Sequence, residues 1–482
     1  MCGFRSAGVL LASGVLSFGW GCGDSDSGEP EASQHAGRSG AAAGTSGAPA
    51  GVSGQGPGGR AAGGGEPGPL GGGISHGGEP ALASTGGRQS TGGTSAGGAS
   101  VGGSETNGGD NAAEGGSPSA SGGDSSEGSA GEGPGNGEGL CEGDYKLNTI
   151  QAYADFVTLK CRIVSGDLII AIVAGLEELA GLETLEEVQG MLSIGNNPDL
   201  GSLVGAGNLR RVGTLNMVSN PRLASLIGFD RLEHVNLAYF TSMTGLGDFT
   251  GLEALTAIPQ GIVIDDAPAL QNFSGLSSLE TSQGIVLSDS GSVTDFAGLE
   301  NVREISISAR NAASLKSVLG LENANTVHLQ IADCPAFDDL TALSAVGSVG
   351  MLVLNNTGLS DLAGLEHIRT LERLQIWKNP QLVDLDALSN LQEVASNLQI
   401  IQNPVLTDLS GLRALHSVPS VSISGNPELA GLGLDALENP SSFLEITANP
   451  KLPQCEVDAL LTRIGATCPQ YCDDNDSDGV CP

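Results

Sequence analysis

The chain has 482 residues, a formal net charge of −35 and only 3% aromatic residues, and 75 of its residues are glycine. An acidic surface argues against binding to the phosphates of nucleic acid, and it leaves divalent cations or basic molecules as suitable partners. Length alone would suggest several domains, but the composition changes abruptly along the chain, so each segment has to be considered separately.

Residues 1–22 are predicted to be an export signal. A single arginine precedes the apolar run 7–18, which is too short for a membrane span of about 20 residues. The ending at Cys22 resembles the lipobox of bacterial lipoproteins, in which the cysteine carries the lipid and becomes the mature N-terminus. This resemblance implies an exported lipoprotein of the outer membrane or cell surface, held by its lipid alone. Gly19 and Trp20 depart from the lipobox pattern, so an ordinary cleaved signal is the alternative.

Residues 23–140 are predicted to be a disordered tether. They are mainly Gly, Ser, Ala, Pro and Glu, and they contain almost no large apolar residue. Such a segment cannot bury enough surface to offset the entropy lost on ordering. Its root-mean-square span is roughly 60 Å by the scaling of glycine-rich coils. The 13 acidic and 3 basic side chains in it should extend it further by self-repulsion.

A repeat runs over residues 164–452. Asn-Pro pairs recur at 197–198, 220–221, 379–380, 403–404, 426–427 and 449–450, each after a short run of alternating apolar residues. Positions 198 and 450 are eleven steps of about 23 residues apart. The inward-facing strand residues are predicted to be Ile170, Ile194, Met217, Leu237, Ile264, Leu287, Ile307, Ile331, Leu354, Ile376, Ile400, Ile423 and Ile446. The spacing is least regular near Leu237 and Ile307, so the register is least well defined there.

The repeat predicts a solenoid. A unit of about 20–29 residues with the pattern L-x-L, x-x-N and x-L is typical of leucine-rich repeats. One short strand with Leu374 and Ile376 inward cannot bury its apolar face alone, so the units stack and share one core. The asparagine can bond backbone groups at the turn, and the proline fixes φ where the chain leaves the strand.

The repeats resemble two families. Residues 358–376, GLSDLAGLEHIRTLERLQI, are similar to the compact repeats of bacterial internalin-type leucine-rich proteins. Residues 161–170, CRIVSGDLII, and 188–200, VQGMLSIGNNPDL, are more similar to receptor L domains, the β-helical modules of growth-factor-receptor ectodomains. The resemblance covers about 165–452. It implies a β-rich leucine-rich solenoid or L-domain-like right-handed β-helix of about thirteen rungs of ~23 residues, and it leaves the choice between them open.

A solenoid exposes its core at both ends and needs caps. Residues 141–163 are predicted to be the N-terminal cap, and residues 453–482 the C-terminal cap and an acidic tail bounded by cysteines. Within the latter, 455–468 reads as an amphipathic helix that stops at Gly465. Its apolar residues Val457, Leu460, Leu461 and Ile464 fall on one face.

Seven cysteines follow the tether, and export permits disulfides. Cys141 and Cys161 bracket the N-terminal cap and are predicted to pair. In the tail we predict Cys455–Cys468, which would staple the helix, and Cys472–Cys481. Four cysteines allow three pairings, so the alternatives stay open. Cys334 lies in a turn of the solenoid and is predicted to be a buried, unpaired thiol.

The tail also resembles the start of the calcium loops of thrombospondin type 3 and dockerin-like repeats. Asp474, Asp476 and Asp478 alternate before Gly479, as oxygen ligands for calcium do. The resemblance implies weak Ca²⁺ binding, because no bidentate acidic residue follows the glycine. The alternative is a solvated acidic tail.

No HExxH, P-loop or dinucleotide-binding motif occurs in the repeat region, and the six histidines do not group together, so we predict that the protein is not an enzyme. Alternation along the strand places Gln375 and Trp377 outward, and Gln399 and Ile401 outward on the next rung. An exposed aromatic beside an apolar residue and two amides suits the binding of an extracellular protein or a glycan. The alternative is a structural envelope or spacer protein without a ligand, in which a neighbouring loop covers Trp377.

Overall fold

The computed structural model describes residues 139–438, 440, 442–468 and 472–479. The predicted signal, Cys22, residues 23–138 of the predicted tether and Cys481 lie outside the described residues, whereas Leu140, predicted as the last residue of the tether, lies in the first strand. The described strands are β1 (Leu140–Cys141), β2 (Tyr145–Leu147), β3 (Ile163–Val164), β4 (Leu168–Ala171), β5 (Glu187–Gly195), β6 (Arg211–Val218), β7 (His234–Thr241), β8 (Ala257–Ile258), β9 (Ile262–Asp265), β10 (Thr281–Ser282), β11 (Gly284–Ser288), β12 (Glu304–Arg310), β13 (Thr326–Cys334), β14 (Ser348–Thr357), β15 (Thr370–Leu371), β16 (Arg373–Trp377), β17 (Glu393–Val394), β18 (Asn397–Ile401), β19 (Ser420–Ser424) and β20 (Phe443–Thr447). The helices are α1 (Ile150–Thr158), α2 (Gln454–Ile464) and three 3₁₀ helices, Thr341–Ala345, Asp386–Leu388 and Ser410–Leu412.

The chain is a parallel β-solenoid of about thirteen turns, as the repeat predicts. Each turn contributes one strand to a continuous parallel sheet, from β4 to β20. A second, shorter strand precedes the main one in several turns, and β15 pairs with β17 in the same way. In the longer strands the two segments run together, with a register shift such as the one between Val188 and Met191.

The core is built on the return path by an apolar residue at every third position. In the turn that begins at Asn403, the buried residues are Leu406, Leu409, Leu412 and Leu415. A glycine column crosses this path, and Gly251 adopts a φ of +108°. A Cβ atom on Gly251 would lie 2.2 Å from the carbonyl oxygen of Leu226 on the preceding turn, so the close approach of successive turns requires glycine here.

Two predicted strand positions are wrong. Phe240 rather than Leu237 pairs with Met217 and Ile264, and Ala309 rather than Ile307 pairs with Leu287 and Ile331. In β7 two residues rather than one separate the buried Val235 from the next buried residue, so that small Ala238 faces the core and Leu237 does not. In β12 three alternate residues face inward, and the last of them is an alanine, which carries a weaker apolar signal than the isoleucine before it.

The asparagines of the repeat form hydrogen-bonded ladders inside the corner that follows the strand. Asn403 Nδ2 donates to the Ile376 carbonyl oxygen at 3.0 Å, and its Oδ1 accepts the Asn379 backbone N–H at 3.0 Å. The same two bonds are made by the fully buried amides at positions 197, 379, 426 and 449. The residue before each ladder position adopts a positive φ, as Gln402 does at +58°. Each turn therefore bonds to its neighbour through side chains as well as through the sheet.

In the middle turns, other side chains replace the ladder asparagines. The ladder position there holds Met243, Ala267, Ser290, Ala312, Cys334 and Thr357. In the same region Phe249, Phe273 and Phe296 stack, with ring centroids 5.7 and 5.6 Å apart. Aromatic stacking thus links turns in which the amide ladder is interrupted.

The segment predicted to be the N-terminal cap contains strand β2 and helix α1, and it carries the predicted disulfide. Cys141 and Cys161 are disulfide-bonded. Helix α1 buries Tyr153 and Phe156 against the first turn, and the Tyr153 hydroxyl donates to the Ala180 carbonyl oxygen at 3.1 Å. Within the part of the chain that the structure describes, no helix is long and apolar enough to cross a membrane.

At the other end, helix α2 is confirmed and stops at Gly465, which has a φ of +66°. The predicted disulfides there are wrong. Cys468 pairs with Cys472, four residues away, and this excludes both Cys455–Cys468 and Cys472–Cys481. Cys455 is disulfide-bonded. Cys334 is free and buried as predicted, and burial raises the pKa of its thiol.

Candidate functional site

The outward side chains of the main sheet form two columns, which we call the strand face. The first column is Ile169, Ser193, Asn216, Tyr239, Val263, Val286, Ser308, Gln330, Val353, Gln375, Gln399, Ser422 and Glu445. The second is Ala171, Gly195, Val218, Thr241, Asp265, Ser288, Arg310, Ala332, Asn355, Trp377, Ile401, Ser424 and Thr447. Within the two columns only Asp265, Arg310 and Glu445 are charged, although residues 141–482 contain 42 acidic and 16 basic side chains.

Many carboxylates instead belong to the turns of the return path. Asp408 Oδ1 accepts the Ser410 N–H at 2.9 Å, and five further aspartates accept the N–H two residues on in the same way. Glu183 Oε1 accepts the Gly181 N–H at 3.0 Å, and four further glutamates repeat this bond. Part of the negative charge of the protein therefore lies on carboxylates that form turns of the return path, and the strand face is nearly uncharged.

The four residues predicted to bind a ligand lie together on the strand face. Trp377 on β16 is in register with Ile401 on β18, and Gln375 is in register with Gln399. Gln375 Nε2 donates to Gln399 Oε1 at 2.6 Å. Trp377 points outward and is half-buried, whereas Ile376 beside it has no exposed surface. We call this group, with Asn355 and Ser424 in the same column as Trp377, the Trp377 patch.

Two polar atoms in the Trp377 patch are enclosed without a partner. The indole Nε1–H of Trp377 and Oδ1 of Asn355 are both buried, and neither makes a hydrogen bond to the described residues. The two residues are directly opposite each other on β16 and β14. Buried polar atoms without partners are uncommon and each costs about 1–3 kcal/mol, so such a pair marks this position as unusual in the sheet.

A second apolar group lies farther along the same face, and sequence reasoning missed it. Tyr239, Val263 and Val286 are neighbours in the first column. The predicted register at β7, with Leu237 inward, does not place Tyr239 in this column, whereas Ala238 as the inward residue does. Burial and the carboxylates of Asp289 and Asp266 raise the pKa of Asp265 in the adjoining column.

The acidic tail continues the amide ladder. Asn475 Oδ1 accepts the Asn449 N–H at 3.2 Å, and Asn475 Nδ2 donates to the Ile446 carbonyl oxygen at 3.0 Å. Asp476 Oδ1 accepts the Asp478 N–H at 3.0 Å in a local turn. No group of three His, Cys, Asp or Glu side chains that could hold a metal occurs among the described residues. Calcium binding by Asp474, Asp476 and Asp478 stays a prediction.

The comparisons with known proteins give similarity only at the level of solved structures. No protein-family model matches the chain, and no curated protein matches it. An internalin (inlF) from Listeria monocytogenes is 14% identical with a TM-score of 0.32, over 60% of this chain and 77% of the internalin chain. The plant peptide hormone receptor RGFR1, in complex with RGF2, is 14% identical with a TM-score of 0.21, over 64% of each chain. At these values the similarities carry no argument about function.

Proposed function

We propose that this chain is a surface-anchored recognition protein whose solenoid binds an extracellular protein or glycan through the strand face. The observation that carries the proposal is the Trp377 patch, an aromatic and apolar group among neutral amides on a face of mostly small side chains. Large aromatic side chains dominate the binding energy of recognition surfaces. A spacer protein without a ligand needs no such group.

The proposal is tested by replacing Trp377 and measuring both binding and stability. We expect Trp377→Ala in the full chain to weaken binding to its extracellular ligand by about 2 kcal/mol or more, which is roughly 30-fold. The matched control is Val204→Ala, since Val204 is 50% exposed and lies on the return path. Equal binding by the wild-type chain and both variants would contradict the proposal, as would a large fall in the melting temperature of Trp377→Ala with binding intact.

We also propose that the chain is held at the surface by a lipid on Cys22, with residues 23–140 as the spacer. The support is the sequence of residues 1–22 and the composition of the segment that follows. We expect Cys22→Ser to abolish labelling by a fatty-acid analogue and to release the protein from the membrane fraction. Unchanged labelling and fractionation would refute lipidation without affecting the proposed binding face.

A further inference from the structure

We propose that the Trp377 patch binds an uncharged oligosaccharide; this inference rests on the proposed function and specifies the class of ligand. Three properties of the patch lead to it: the absence of ionisable side chains, the paired amides and the small apolar platform. A peptide is the alternative ligand that the experiment must distinguish from an oligosaccharide.

The patch carries no ionisable group. Its six members are Asn355, Gln375, Trp377, Gln399, Ile401 and Ser424. The charged side chains around it are of mixed sign: Arg373 and Lys378 belong to the turn of Trp377, and Glu445 accepts a hydrogen bond from Ser422. A charged ligand would lose its hydration here without meeting a matching charge in the patch, whereas a neutral ligand avoids that cost.

The amides match hydroxyl groups. A carboxamide offers both donors and acceptors, and a sugar hydroxyl also donates and accepts. The hydrogen bond from Gln375 Nε2 to Gln399 Oε1 fixes the relative orientation of the two amides. This orientation leaves Gln375 Oε1 as an acceptor and the Gln399 NH₂ group as a donor, and neither makes another hydrogen bond to the described residues. Two neighbouring hydroxyls on one sugar ring can bond this ordered pair.

The apolar part of the patch suits the C–H face of a sugar ring. Trp377 and Ile401 are paired in register on adjacent strands, about 4.8 Å apart. The face of an aromatic ring is electron-rich and attracts the weakly positive hydrogens of C–H groups. A pyranose can therefore lie on this platform while its hydroxyls reach the amides beside it.

The size of the patch suits a small ligand. Four rungs span about 14 Å along the stack, and the two columns are about 7 Å apart, so the patch has an area on the order of 100 Å². A stable protein interface buries about 800 Å² on each partner. One sugar ring of a short oligosaccharide, in contrast, can cover a patch of this size.

The experiment probes the full chain with an array of uncharged hexose and N-acetylhexosamine oligosaccharides. Uronic-acid and sulfated oligosaccharides and extended peptides serve as comparators. We expect binding to an uncharged oligosaccharide that changes less than twofold when the ionic strength is raised about tenfold, since no ion pair contributes. Gln399→Met, which keeps the length of the side chain and removes its hydrogen bonds, should weaken binding about tenfold.

The matched control is Gln330→Met, which changes an amide of the same column two rungs from Gln375 and should leave binding unchanged. Ile401→Ser provides a second test of the platform if Trp377→Ala fails to fold. If the chain binds only peptides or charged sugars, and does so through Trp377, this inference is overturned. It is also overturned if the chain binds none of the uncharged sugars on the array. The first of these results would leave the proposed function standing, whereas a ligand that binds independently of Trp377 would refute both.

Discussion

At the scale of single residues, each ladder asparagine makes several of the hydrogen bonds that join successive turns. Asn403 is fully buried, and its side chain bonds to the Ile376 carbonyl, to the Asn379 backbone and to Asn426. The carboxamide supplies an acceptor oxygen and a donor NH₂ group side by side without a charge. The drift to alanine, serine and cysteine in the middle turns is therefore accompanied by another source of cohesion, the stacked phenylalanines.

We expect Asn403→Ala to lower the free energy of unfolding by about 3 kcal/mol, because it leaves a buried N–H and a buried carbonyl without partners. The control is Gln402→Ala, which changes an exposed neighbour with a φ of +58°, a conformation that Ala448 already adopts in this chain. Urea unfolding of both variants measures the difference. Equal stability of the two variants would show that the ladder contributes little.

At the scale of elements, the sequence predicts the strand register wherever the inward residues alternate regularly and the last of them is large. Eleven of the thirteen predicted strand residues are in register, and the failures occur where Ala238 and Ala309 take the inward role. The patch around Trp377 follows from the same alternation. The disulfide between Cys468 and Cys472 could not be predicted in this way, because the path of an irregular tail after a helix depends on contacts that leave no periodic signal.

The glycine column provides an element-scale prediction. We expect Gly251→Ala to destabilise the solenoid by about 3 kcal/mol or more, since the new Cβ atom would meet the Leu226 carbonyl in a backbone conformation unfavourable to alanine. Gly247→Ala is the matched control, because the nearest atom to its Cβ would be 3.7 Å away. Thermal unfolding distinguishes them, and similar melting temperatures would contradict the steric argument.

The role of the tail in the asparagine ladder and its predicted calcium binding can be tested separately. Because Asn475 continues the ladder, we expect Asn475→Ala to lower the melting temperature equally in calcium and in chelator. If the aspartates bind calcium, the ion should raise the melting temperature or protect the tail from proteolysis, and Asp476→Ala should abolish that effect. A wild-type tail that behaves identically in calcium and in chelator would refute calcium binding and leave the ladder role intact.

At the scale of the whole molecule, turn carboxylates make stability depend on pH. Hydrogen bonds, first of all from the Ser410 side chain, lower the pKa of Asp408 in the folded state. A lowered folded-state pKa means that the contribution is present above the unfolded pKa of about 3.9 and is lost as the pH falls through the folded value. The pKa of Asp265 is raised, so its charge opposes folding at neutral pH and its protonation relieves this.

We therefore expect Asp408→Asn and Asp265→Asn to have opposite effects at neutral pH. The first should lower the free energy of unfolding and the second should raise it. The Asp265 difference should vanish as the pH falls to the unfolded pKa of about 3.9, because the raised pKa means that this carboxyl is protonated first. The Asp408 difference should begin to shrink only below that pH, as the pH falls through the lowered folded pKa. Urea unfolding across the acid range measures this. Effects of the same sign at neutral pH would contradict the opposite pKa shifts of Asp408 and Asp265.

The Asn-Pro order has a consequence for the chemical ageing of the protein. An asparagine side chain deamidates when the backbone nitrogen of the next residue attacks it, and proline has no N–H with which to form that ring. Six ladder asparagines precede proline, whereas Asn475 precedes Asp476. The amides that hold the turns together are thus shielded from the commonest spontaneous decay of their side chain, and isoaspartate should accumulate in the ladder first at Asn475, its last member.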